Sequence, residues 1–194
     1  MEQIRAFIAV ELPAGAREAL GSILQDLQAV VPAGVRWVRP EGIHLTLKFL
    51  GDIGAKSVGP ISLAMSQCAA LVSPFDLFLS ELGAFPKLKA PRVVWAGLDG
   101  AVDALRGLQA SLEEELERLG HNPEGRPFSP HLTLGRTREG ASIAQRRSVG
   151  DDLAMASVEI RGELPVREIV LIQSTLTPSG AIYTHLFSAA LGPA

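Results

Sequence analysis

Two stretches of this chain spell the same four residues. "GIHLTLKFLG" covers 42–51 and "SPHLTLGR" covers 129–136, so His44 and Thr46 recur as His131 and Thr133. In a β-strand, side chains alternate faces. His44, Thr46 and Lys48 then share one face, while Ile43, Leu45, Leu47 and Phe49 share the other. In the second copy His131 and Thr133 stand opposite Leu132 and Leu134. Each copy sets an imidazole beside a hydroxyl on a rigid element backed by leucines. Imidazole titrates near ~6.5, so one copy can be a neutral base while the other is a protonated acid at the same pH. Displacement at phosphorus is roughly in line and wants a base at one end and an acid at the other. Paired threonine hydroxyls can donate to the non-bridging phosphoryl oxygens.

Other chemistries fit less well. Neither copy carries a second histidine or a carboxylate at ligand spacing, nothing resembles HExxH, and we expect no metal. There is no GxSxG elbow, no GxxxxGK[ST] loop and no GxGxxG, so a serine triad, a nucleoside triphosphate or a dinucleotide has no basis. Cys68, the single cysteine, falls at a core position of a helical pattern and reads as a small hydrophobe. His121, in a turn-rich loop, and His185, among apolar neighbours in the last strand, read as structural. "PKLKAPR" offers Lys87, Lys89 and Arg92 as a basic rim, and Phe128 could stack on a base or pack in the core. Lys48 could meet a phosphate or point to water.

These residues must be positioned by their elements. "IRAFIAVEL" reads as a first, central strand. Pro13 opens a helix whose stripe is Leu20, Ile23, Leu24, Leu27 and Val30, with Pro32 and Gly34 marking its end. "VRWV" is a short strand, "PEG" a turn, and "IHLTLKFLG" a strand closed by Gly51. The uncharged run 57–75 could be taken for a bilayer span. Its prolines and serines, and the recurrence of Ile61, Ala64, Met65, Cys68 and Leu71, make it a half-buried helix instead. "FDLFLSELG" alternates Phe75, Leu77 and Leu79 against Asp76, Phe78 and Ser80, and "RVVWAGL" is a further strand. A helix over roughly 100–119 turns Leu105, Leu108, Leu112 and Leu119 inward and its acidic run outward, and Gly120 caps it. Residues 137–152 are a loop or a short poor helix. "ASVEIRGEL", "VREIVLIQSTL" and "AIYTHLFSAAL" complete an α+β protein in which two similar lobes each contribute one HLTL strand.

Hydrophobic residues make up 47% and charged residues 20% of the 194, which is ordinary for a globular protein and excludes a disordered one. A net charge of −3 argues against coating long nucleic acid with a basic face; any contact with nucleic acid would use a local groove. The acid at Glu2 and the short apolar run after it do not form a signal peptide. One cysteine fits a reducing cytosol, and a cytoplasmic location is expected.

The two motifs in their flanks make the chain similar to the two-histidine (2H) phosphoesterases. Within them it resembles the RNA 2′,3′-cyclic phosphodiesterases, historically called 2′-5′ RNA ligases. The resemblance runs through "IRAFIAVELP", "VRWVRPEGIHLTLKFLGD", "FPKLKAPRVVWAGL", "RPFSPHLTLGR" and "VREIVLIQSTLTPSGAIYTHL". It implies one bilobal domain over 1–194, with two pseudo-symmetric lobes of antiparallel sheet, helices outside and a central groove. It implies metal-free opening of 2′,3′-cyclic phosphate ends of RNA to 2′-phosphates, with no cofactor, by a monomer that needs no membrane. His44 would be the proton donor and His131 the proton acceptor, with Thr46, Thr133 and Arg136 on the phosphate. Strict alternation puts Arg136 on the leucine face, so the last role needs a kink or bulge near Gly135, or a side chain that reaches around. The alternatives are ATP-independent 2′-5′ RNA ligation or cleavage at the same site, and a non-catalytic RNA-end binding module.

Overall fold

Strand β1 (Gln3–Glu11) is buried on both faces, as its apolar run predicts. Ala6, Ile8 and Val10 enter the main core, whereas Phe7 and Ala9 join a small second cluster with Val170 and Ile172. The computed structural model describes residues 3–31, 33–178 and 180–193. Glu2 and Pro32, used above to read the N-terminus and a helix end, lie outside the described residues. Helix α1 (Ala14–Val30) follows Pro13 directly and buries Leu20, Ile23, Leu24 and Leu27; Val30, expected in the stripe, is exposed. Then come β2 (Val35–Trp37), a 3-10 turn at Pro40–Gly42, β3 (His44–Gly54) and α2 (Val58–Ala69). The second half contains β4 (Phe75–Phe85), β5 (Val93–Gly100), α3 (Val102–Arg118), β6 (His131–Thr137), α4 (Ile143–Met155), β7 (Glu163–Val166), β8 (Glu168–Thr177) and β9 (Gly180–Ala190).

Among the described residues, nine strands form one sheet in the order β7-β4-β5-β6-β3-β1-β8-β9, with β2 also on β6. Every pairing is antiparallel. The halves β6-β5-β4-β7 and β3-β1-β8-β9 run outward from a central junction, where β3 and β6 meet at Leu45 and Leu132. This is the expected α+β class with two sheet-bearing lobes, but neither lobe is a continuous half of the chain. Helix α1 leaves β1 to pack on α4 and β7, while α2 packs on α3, β8 and β9. Of the last two strands, β8 returns to flank β1 and β9 pairs with the outer side of β8. Each lobe is therefore completed by segments from both ends of the sequence.

Several boundaries differ from the predicted ones for local reasons. Leu71 lies past the end of α2 and is exposed, because the helix stops at Ala69. In α3 it is Leu116, not Leu119, that completes the buried stripe. Gly120 does cap that helix, at φ 89°. The His121 N–H bonds the Leu116 carbonyl and the Gly120 N–H bonds the Glu117 carbonyl, the paired closure of a glycine-terminated helix. Gly51 does not end β3. It takes φ 69° inside the strand, which continues to Gly54. The 137–152 region holds a true helix, α4, opened by a capping box between Ser142 and Gln145. Residues 156–162, expected as strand, are irregular, and only Glu163–Val166 pairs with β4.

Candidate active site

The pairing of Leu45 with Leu132 decides where the two motifs lie. Both leucines are fully buried. The neighbouring residues turn to the opposite face, and the antiparallel register sets Thr46 across from His131 and His44 across from Thr133. The two histidines are diagonal neighbours about a local two-fold axis; in an antiparallel pair such neighbours are about 7–8 Å apart. Each imidazole faces the other lobe's hydroxyl.

Both rings are oriented in the same way. His44 Nδ1 lies 3.1 Å from the Gly42 carbonyl and His131 Nδ1 lies 2.7 Å from the Ser129 carbonyl, each two residues upstream. A carbonyl only accepts, so both Nδ1 atoms carry hydrogen. Nε2 is then the titrating atom: an acceptor in the neutral ring and a donor in the charged one. Among the described residues, no protein group bonds either Nε2 or the hydroxyl of Thr46 or Thr133.

A second symmetry explains Arg136. Strand β1 pairs Ala9 with Thr46 and Ile8 with Lys48, leaving Leu47 as an extra residue. Strand β5 pairs Trp95 with Thr133 and Val94 with Gly135, leaving Leu134 extra. Both copies therefore carry a β-bulge at the fourth residue, and beyond it the facing of the side chains reverses. Arg136 consequently shares the face of Thr133, alongside Val93. Its counterpart in the first copy is Phe49, expected in the core but 59% exposed and paired with Phe7 on the groove face.

The same bulge turns Lys48 inward. It neither points to water nor shares the face of His44: its side chain is 2% exposed, with Nζ 2.6 Å from Glu113 Oε2 and 2.7 Å from the Asn122 carbonyl. Gln109 Nε2 holds the other Glu113 oxygen at 3.0 Å. The acidic run of α3 is thus not wholly a solvated face. One of its carboxylates reaches under the sheet.

Aromatic rings enclose the histidines differently in the two lobes. Phe7 stacks on His44 with centroids 4.6 Å apart, and Tyr183 meets it edge-on at 5.2 Å. His131 is met edge-on by Phe85 at 4.9 Å and lies 6.3 Å from Trp95. Burial pushes the pKa of His44 down, opposed by its bond to the Gly42 carbonyl and by the charge of Glu11. Burial pushes Tyr183 up, opposed by Arg136, whose field reaches the phenol.

Beside Thr46 and His131 opens a cavity of about 730 Å³ whose lining includes Phe49, Phe85, Phe128, Arg92 and Arg126. Of the basic loop, Arg92 faces this cavity, while Lys87 and Lys89 are exposed and do not line it. Phe128 packs partly on the core and also lines the cavity. His121 follows α3, its pKa lowered by burial and by nearby Lys48. Cys68 is buried, and burial pushes its thiol pKa up. No cluster of three or more His, Cys, Asp or Glu placed to hold a metal occurs among the described residues. No helix among them is long and apolar enough to cross a membrane.

Comparison with known proteins agrees with this geometry. The profile of the family described as LigT like Phosphoesterase matches the chain twice, over 10–95 and 98–183, one HLTL in each match. The chain belongs to the LigT-like phosphoesterase family. It is 37% identical to the RNA 2′,3′-cyclic phosphodiesterase of Archaeoglobus fulgidus, over 94% of this chain and 98% of that one. The enzyme of the same name from Methanothermobacter thermautotrophicus is 35% identical, over 95% and 97%. Among solved structures, TT0787 of Thermus thermophilus superposes with a TM-score of 0.77 at 30% identity, covering 98% of this chain and 99% of that one. E. coli LigT complexed with 3′-AMP gives 0.75 at 29%, with 98% and 99% covered. In this family setting, the elements that sequence reasoning missed are the rings around the histidines. Phe7, Phe85, Trp95 and Tyr183 lie far from either motif in sequence; the clue available was only their alternation toward the groove face.

Proposed function

We propose that this protein hydrolyses RNA 2′,3′-cyclic phosphate ends to 2′-phosphates. The observation that carries the reading is the two-fold apposition of the HLTL strands, with two Nε2 atoms and two hydroxyls on one groove face that no described protein group bonds. His131 Nε2 accepts a proton from water, whose oxygen bonds to phosphorus on one side. The bond from phosphorus to the 3′ oxygen breaks on the other side, and His44 Nε2–H protonates the departing oxygen. The cycle ends with His131 charged and His44 neutral, and solvent exchange restores both. Thr46, Thr133 and Arg136 hold the phosphoryl oxygens, and the charge of Arg136 also favours anion entry. The anionic substrate itself draws the half-buried His44 toward its protonated form.

The cavity beside His131 supports a nucleic-acid substrate: Phe49, Phe85 and Phe128 offer π-faces to bases, and Arg92 and Arg126 offer donors to backbone phosphates. The names of the relatives agree with this substrate class, as does the 3′-AMP bound by E. coli LigT. The reaction assigned here needs no metal, no cofactor and no second subunit.

The test is an oligoribonucleotide ending in a 2′,3′-cyclic phosphate, incubated with and without EDTA, with the product end identified. We expect a 2′-phosphate, unaffected by EDTA and lost in both His44→Ala and His131→Ala. A 3′-phosphate would exchange the roles of leaving and retained oxygen. Binding without turnover would reduce the protein to an RNA-end binding module. Supplying a 5′-hydroxyl RNA as competitor to water asks whether the same site joins ends through a 2′-5′ bond.

A further inference from the structure

His44 is surrounded in a way that works against an acid. Phe7 covers one face, Tyr183 abuts its edge, and its first proton is committed to the Gly42 carbonyl. Protonating Nε2 adds a charge to a half-enclosed ring. His131 has no acidic strand residue opposite it: its β5 partner is Gly97. His44 does, because β1 places Glu11 directly across from it. Glu11 is in turn bonded at 2.7 Å by Nε2 of His185, reaching over from β9. A carboxylate accepts, so His185 donates. The charged and titratable groups around His44 are Glu11 on β1, Tyr183 and His185 on β9, and His131 and Arg136 on β6.

We propose that Glu11, held in place by His185, is the counter-charge that keeps His44 available as a proton donor. Both are positioning residues, acting through His44 without touching the phosphate; the claim rests on the reading of His44 as the acid. Opposite residues of an antiparallel pair stand close enough for a carboxylate to favour an imidazolium. Glu11 is partly exposed, so without a tether its side chain would turn to water and its field would be screened. The bond from His185 supplies that tether. His185, read from its apolar neighbours as structural, acquires a role that its own strand does not reveal.

The experiment is an NMR titration of the His44 ring in ligand-free protein, alongside pH profiles of kcat/KM on the cyclic-phosphate oligonucleotide. We expect Glu11→Gln to lower the His44 midpoint and to move the basic limb of the profile to lower pH, with a loss of about three- to tenfold in kcat/KM at pH 8. Glu11→Asp should restore part of it. His185→Leu should shift His44 the same way but less, His185→Gln should return it toward wild type by restoring an N–H donor, and Glu11→Gln/His185→Leu should match Glu11→Gln alone. An unchanged midpoint in Glu11→Gln, an effect of His185→Leu that persists without Glu11, or no rescue by His185→Gln would overturn the proposal. If the midpoint falls but the acidic limb moves instead, the pairing stands and the acid assignment of His44 fails.

Discussion

Removing the carboxylate of Glu113 leaves the Lys48 ammonium, 2% exposed, with the Asn122 carbonyl as its remaining partner. Breaking a buried pair in this way costs about 3–5 kcal/mol, because the surviving charge is neither solvated nor compensated. The reverse deletion is gentler. In Lys48→Met, Glu113 keeps the Gln109 amide at 3.0 Å and the Glu124 N–H at 3.3 Å, and its side chain is 17% exposed. We expect about 1–3 kcal/mol for that variant. In Lys48→Met/Glu113→Leu both charges are gone, and more than half of the loss in Glu113→Ala should return. Urea denaturation with m-values held in common reads the three differences. Glu113→Ala should melt roughly 6–20 °C below wild type, at about 2–4 °C per kcal/mol. Because Asn122 and Glu124 also lean on this pair, amide exchange should quicken through 121–130, the segment that carries Phe128 toward His131. Equal and small losses in both single variants, below about 1 kcal/mol, would refute the argument, since they are what a solvated surface pair gives.

Stability should also respond to acid through His44 and His121, whose folded pKa values are lowered chiefly by burial. A depressed histidine contributes nothing adverse above its unfolded pKa of ~6.5 and costs stability as pH falls from there to the folded value. Thermal melts should decline as pH drops below ~6.5, and His44→Asn should flatten that slope. Gly83→Ala would place a Cβ 2.1 Å from Cζ2 of Trp95. We expect a loss of about 1–3 kcal/mol and a changed near-ultraviolet Trp spectrum, with the ring displaced from His131. Phe128→Ala should raise KM for the oligonucleotide about five- to a hundredfold while kcat changes less, the signature of a lost stacking surface. An equal fall in kcat would instead mark Phe128 as a support of the His131 strand.

What could be read from the chain alone was local. Alternation around each HLTL gave the face of His44 and Thr46 and of His131 and Thr133, and helical spacing gave Leu20 to Leu27 and Leu105 to Leu112. Gly120 announced its cap because a left-handed position selects glycine almost by itself. Helix α4 is polar on most sides, so periodicity left 137–152 open between a loop and a short helix, and its capping box Ser142–Gln145 emerged only in the structure. Strict alternation failed at Lys48 and Phe49 for one shared reason, and Arg136 shares the face of Thr133 only through the bulge that its expected place required. A bulge adds a residue without altering composition, and period-two counting carries the wrong phase past it.

Two chemical groups, their order and their backing were determined by the sequence, because side-chain identity and strand period are properties of a few consecutive residues. Where they meet was decided only by the tertiary structure. The single pairing of Leu45 with Leu132, the twin bulges after it, and the arrival of Glu11, Tyr183 and His185 around His44 all join segments distant in the chain. Such contacts depend on the registry between strands and on the common core beneath them, and no stretch of sequence contains that information by itself.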